Sequence, residues 1–99
     1  MNQQRPTLLL SVDYGQNWPL SDIYWDVEDK PKWDEILSAG LVTRLNKWAE
    51  FFTQNANEET GMFGSESVRR WFDLEGADLL NELRKEAGHL YEFELRLWF

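Results

Sequence analysis

Near the start of the chain Leu8, Leu10, Val12 and Tyr14 alternate with Leu9, Ser11 and Asp13, the period-two pattern of a strand with one face on a core. The spacing predicts a strand over residues 7–14, with residues 1–6 frayed ahead of it. The device returns at the other end, where Tyr91, Phe93, Leu95, Leu97 and Phe99 alternate with Glu92, Glu94 and Arg96, predicting a second strand over 90–99. Leu9, Leu90 and Trp98 fall on the nominally solvated sides and form a candidate second contact surface.

Two helical patterns lie between. Ser38 is placed to cap a helix over 39–54, in which Leu41, Leu45, Trp48 and Phe52 recur every three or four residues. The breaker-rich run NANEETGMFG, residues 55–64, reads as a connection. Ser65 then caps a helix over 66–87, whose buried stripe is Val68, Phe72, Gly76, Leu79, Leu80, Leu83 and Ala87. Gly88 is expected to stop it in left-handed backbone. Gly76 costs about 1 kcal/mol of helix propensity relative to Ala. Its place in the stripe predicts a bulky aromatic packed against it, from the first helix or from residues 17–33.

Residues 15–35 carry mixed signals. Ile23, Trp25 and Val27 alternate with Tyr24, Asp26 and Glu28, which predicts a short strand over 23–28 paired with the first strand through GQNWPLSD. Asp34 to Leu37 form a single turn leading into Ser38. The expected fold is α+β: a small sheet from 7–14 and 90–99, with 23–28 as a candidate third strand, covered on one face by a helical hairpin (39–54 and 66–87). At 99 residues the chain supports one domain, 1–99.

Charge narrows the partners. The net charge is −8, from 18 acids against 10 bases, with no basic cluster anywhere. Nucleic-acid affinity depends on Lys and Arg displacing counterions, so direct binding to DNA or RNA is not expected. A basic protein suits such a field, which speeds encounter and disfavours wrong partners. With no Cys there is no disulfide, thiolate metal site or Cys nucleophile, and a reducing compartment, the cytoplasm, is expected. No stretch approaches the length of an apolar membrane span, so no membrane partner is expected.

Few constellations carry chemistry. The single His89 follows Gly88 with no nucleophile or orienting acid at a telling spacing, and suits a helix end. Asp26, Glu28 and Asp29 lack the Gly and distal Glu of a calcium loop. The six glycines match neither a dinucleotide fingerprint nor a phosphate-binding loop. No catalytic residue, metal or cofactor is therefore assigned. What remains is residues 17–33, NWPLSDIYWDVEDKPKW, which hold three of the six Trp. Tyr and Trp serve as interface anchors, and acids beside them suit a partner rich in Arg or Lys. Trp18, Tyr24, Trp25, Asp26, Glu28, Asp29 and Trp33 are the candidate partner-binding residues, with Tyr24, Asp26 and Glu28 on the wetter row.

The first functional expectation is a non-enzymatic binding module that masks a basic partner, of immunity, antitoxin-like or inhibitor type. A second is a small enzyme or ligand-binding domain using Glu92, Glu94 or His89. A third is a self-associating structural domain using Leu9, Leu90 and Trp98; a monomer or weak homodimer is expected.

The runs VDYGQNWPL (12–20), LVTRLNKWAEFF (41–52) and EGADLLNELRKEAG (75–88), in that order, resemble a group of small, acidic, uncharacterised bacterial proteins. Ser21 stands where that group would place a further Trp. The resemblance implies a bacterial cytoplasmic protein and transfers no functional residue.

Overall fold

The structure is a computed structural model that describes residues 5–13, 16, 18–55 and 65–96. Among the described residues the strands and α-helices follow in the order β1 (Thr7–Leu10), α1 (Trp33–Ile36), α2 (Ala39–Asn55), α3 (Glu66–Ala87) and β2 (Glu92–Leu95). The fold is a two-stranded sheet with helices packed on it, the expected α+β class.

β1 and β2 pair in parallel, Leu8 opposite Phe93 and Leu10 opposite Leu95. That register puts the buried Leu8, Leu10 and Phe93 on one face, so the two alternating patterns serve a single core. Backbone bonds from Glu92 N–H to the Pro6 carbonyl (2.9 Å) and from Arg96 N–H to the Leu10 carbonyl (2.9 Å) extend the ladder at both ends. Both strands are shorter than their sequence patterns: residues 11–13 leave the ladder, and Tyr14 and residues 97–99 lie outside the described residues. A parallel pair needs a long crossover, which α2 and α3 supply.

α2 and α3 have almost the expected bounds. Ser38 caps α2 through Leu41 N–H to its hydroxyl (3.3 Å), and Ser65 caps α3 through Val68 N–H (3.2 Å). Glu86, near the end of α3, reaches the α2 cap: it accepts from the Ser38 N–H (2.6 Å) and hydroxyl (2.9 Å). Ser38→Ala removes a cap and one arm of this clamp, so it is expected to cost about 0.5–2 kcal/mol. A lowered urea midpoint with an unchanged slope checks it. Further along, Arg44 of α2 holds Glu75 (3.1 Å) and Asp78 (2.6 Å) of α3. The hydrogen bond to Asp78 and then that to Glu75 raise the Arg44 pKa above its already high ordinary value, against a smaller opposing effect of burial.

The core is made by Leu8, Leu10, Leu45, Trp48, Phe52, Phe72, Leu79, Leu83 and Phe93, all buried. Gly76 lies under the Trp48 indole, the aromatic expected from the first helix: a Cβ built there would stand 2.7 Å from a ring carbon. Trp48 stacks on Phe72 (centroids 4.4 Å apart, 10° between planes) and donates its indole N–H to the Phe72 carbonyl (2.9 Å).

Two expectations are corrected. Gly88 ends α3 in right-handed backbone, φ −62° and ψ −19°, so a left-handed stop is not its role. Room is what it provides, because a Cβ there would run into the Arg84 carbonyl. Residues 23–28 form no strand. The chain makes 3-10 turns at Ser21–Tyr24 and Val27–Asp29, and the partner of β1 lies earlier, in an isolated antiparallel bridge between Leu10 and Leu20. The cause is the side chain of Asp22.

Candidate functional site

The segment from Trp18 to Trp33 is tied to the sheet at its entry. Ser11 N–H donates to the Pro19 carbonyl (2.8 Å) and Leu9 N–H to the Ser21 hydroxyl (3.0 Å). Pro19 and Leu20 are buried there. The next residue but one, Asp22, is only 3% exposed, the one buried charged residue among those described.

A buried carboxylate is costly unless hydrogen bonds replace its hydration. Asp22 receives them from two indoles: Trp18 Nε1 donates to Oδ1 and Trp33 Nε1 to Oδ2, each at 3.0 Å. Residues four before and eleven after are thereby drawn to one point, which curls the segment and prevents an extended strand. The Trp18 and Trp33 rings lie 6.0 Å apart, Trp33 lies 5.6 Å from Tyr91, and Trp25 lies 6.3 Å from Tyr91. These four rings, all half-buried, pack against the core as its roof.

The expected apolar row does not hold together. Trp25 and Ile23 are half-buried, but Val27 is 84% exposed, because a 3-10 turn has a period near three rather than two. On the outer surface the two turns present Tyr24 (77% exposed), Asp26, Val27, Glu28 and Asp29. Backbone bonds close them: Trp25 N–H to the Asp22 carbonyl (2.9 Å) and Asp29 N–H to the Asp26 carbonyl (2.9 Å). Of the candidate contact residues, Tyr24, Asp26, Glu28 and Asp29 are thus exposed within one short stretch, and Trp18, Trp25 and Trp33 are half-buried against the core.

The charges of this surface are uncompensated. Elsewhere Glu92 is paired with Arg5, Glu75 and Asp78 with Arg44, Glu66 with Arg70 and Glu82 with Lys85, while the exposed Asp34, Glu35 and Glu94 form no ion pair with a described residue. Asp26, Glu28 and Asp29 form no ion pair with any described residue. An exposed tyrosine and valine among three unpaired carboxylates make a surface suited to a cationic protein.

Sequence reasoning missed Asp22. The available signal was the inventory of donors, since each indole brings one N–H that needs an acceptor once buried.

The alternative residue sets are placed differently. Glu92 and Glu94 line a shallow hollow of about 440 Å³ together with Arg5, Arg84 and Tyr91, and His89 is not part of that lining. Leu9 is half-buried and Leu90 is 40% exposed, while Trp98 lies outside the described residues. Among the described residues no three His, Asp or Glu side chains gather closely enough to hold a metal ion, and no helix is long and apolar enough to cross a membrane.

A model of the family described as Serratia CdiI immunity protein-like matches residues 6–95, nearly the whole chain and all three runs that carried the resemblance above. No curated protein matches the chain.

Proposed function

This chain belongs to the Serratia CdiI immunity protein-like family, and on that premise we propose that it is a non-enzymatic immunity protein that binds a protein toxin through the acidic turn Tyr24–Asp29. The observation that carries the reading is the make-up of the turn itself: Tyr24 and Val27, 77% and 84% exposed, stand among Asp26, Glu28 and Asp29, three exposed carboxylates with no ion pair to any described residue. The toxin offers a basic face to this turn. Its Lys and Arg are attracted at long range to Asp26, Glu28 and Asp29, and Tyr24 and Val27 supply the apolar contact once the surfaces meet. Trp18, Trp25 and Trp33 hold the turn in shape from below, which lowers the ordering cost of binding.

The test is kinetic, using any toxin domain found encoded beside this chain's gene. Joint replacement Asp26→Lys, Glu28→Lys and Asp29→Lys should slow association by about ten- to a hundredfold at low salt, because steering of this kind acts mainly on the on-rate. Dissociation should change far less, and the wild type should lose on-rate as salt is raised. An on-rate that ignores both salt and charge reversal would remove the acidic turn from the interface.

A further inference from the structure

Beside the acidic turn, between residues 18–33 and α2, lies an open-mouthed cavity of about 380 Å³. We propose that it is an anchor pocket into which the toxin inserts one large apolar side chain, a proposal that rests on reading this chain as an immunity protein.

The chemistry of the lining selects the occupant. Its walls are Trp18, Ile23, Pro31, Trp33 and Val42, each half-buried. The only polar atom of each indole is spent on Asp22, so the two rings offer an incoming group hydrocarbon and π surface. Asp22 also lines the cavity, but it is only 3% exposed and each of its oxygens already accepts an indole N–H, so an occupant touches little of it. Its charge and that of the Lys30 ammonium at the rim are opposite and offset one another, which leaves the apolar walls to select the occupant. An apolar side chain therefore matches the pocket, its area covered by the five apolar walls. Lys30 and Asn46, both exposed at the rim, hold donors that bond no other described residue, and they suit main-chain carbonyls flanking the inserted group.

Position supports one partner for both surfaces. Ile23, Lys30 and Pro31 of the cavity bracket the turn that carries Tyr24, Asp26, Val27, Glu28 and Asp29, so a single toxin face covers both. The roles separate physically: long-range charge governs encounter, and a filled, desolvated pocket governs residence. The walls are preformed, because the carboxylate that fixes Trp18 also fixes Trp33.

Asn46→Trp tests this by crowding the mouth from an exposed position of α2, with Asn46→Ala as the control for loss of the amide. With the toxin domain of the charge-reversal test, Asn46→Trp should raise the dissociation rate at least tenfold and leave the association rate within about twofold, the reverse of the triple charge reversal. If the wild type binds and Asn46→Trp dissociates at the wild-type rate, the pocket is overturned and the immunity reading stands. If the wild type does not bind, the immunity reading fails and takes this proposal with it. A second measurement needs no toxin: p-cresol and butylguanidinium are titrated while the indole N–H resonances are followed. Saturable shifts at Trp18 and Trp33 with p-cresol, lost in Asn46→Trp, support the apolar assignment. Shifts with butylguanidinium instead, or shifts that survive Asn46→Trp, overturn it.

Discussion

Trp48→Ala is expected to remove about 3–5 kcal/mol of unfolding free energy, the range for deleting a large aromatic from a packed core. A domain of this size is stable by only about 5–15 kcal/mol, so much of the total depends on one side chain. Trp48 is 1% exposed, stacks on Phe72 and spends its N–H on the Phe72 carbonyl. The sharper experiment concerns Gly76, whose missing Cβ leaves space for the Trp48 ring. In the wild type Gly76→Ala gains about 1 kcal/mol of helix propensity. It loses more, about 1–3 kcal/mol, because an added Cβ only 2.7 Å from a rigid, buried ring forces α2 and α3 apart. In the Trp48→Ala background the obstruction is gone, and the same substitution should become stabilising by about 1 kcal/mol. Urea unfolding of the four chains gives the cycle directly. A Gly76→Ala substitution that destabilises equally in both backgrounds would show that the indole is not what demands the glycine.

This pair also shows why part of the fold was legible from sequence. A glycine inside an apolar stripe is a contradiction at the level of one helix, and it resolves only through a neighbour. The period of 3.6 in α2 and α3 was readable for the same reason: Leu41, Leu45, Trp48 and Phe52 face Phe72, Leu79 and Leu83 across one interface, so pattern and packing agree. The terminal strands were readable as half-buried, but their direction was not. Parallel pairing depends on how the intervening chain crosses the sheet, and alternation in Leu8, Leu10, Phe93 and Leu95 is the same for either direction.

The segment 23–28 misled for a specific reason. Ile23, Trp25 and Val27 alternate with polar residues, yet the alternation has no common face once Asp22 gathers the Trp18 and Trp33 indoles. A contact between residues eleven apart leaves no periodic trace. The exposed character of Tyr24, Asp26 and Glu28 was nevertheless readable, because charge next to an unmatched aromatic marks a surface whatever the local backbone. Their lack of ion-pair partners was not readable: the pairs within α3, Glu66 with Arg70 and Glu82 with Lys85, follow helical spacing, but those that join distant elements, Arg44 to Glu75 and Arg5 to Glu92, leave no local trace.

Asp22→Ala is expected to cost about 3 kcal/mol, from two hydrogen bonds to a charged acceptor worth about 1.5 kcal/mol or a little more each. The indoles it abandons are half-buried, so water can reach part of what the carboxylate held, and the loss stays below that of two fully orphaned donors. Asp22→Asn should recover little. One amide oxygen can still accept, but the NH₂ then faces the other indole N–H, donor against donor. Both variants should shift the indole resonances of Trp18 and Trp33, and leave that of Trp48, which is bonded to the Phe72 carbonyl, in place. The functional consequence differs from that of Trp48→Ala. Losing the Asp22 bonds frees the two rings that support the acidic turn and wall the cavity, so toxin dissociation should quicken at temperatures where the chain remains folded. The core substitution lowers stability while leaving the dissociation rate of the folded fraction near wild type. If Asp22→Ala unfolds within about 0.5 kcal/mol of the wild type, the size of an ordinary surface substitution, and its Trp18 and Trp33 resonances stay put, then the carboxylate does not organise this surface.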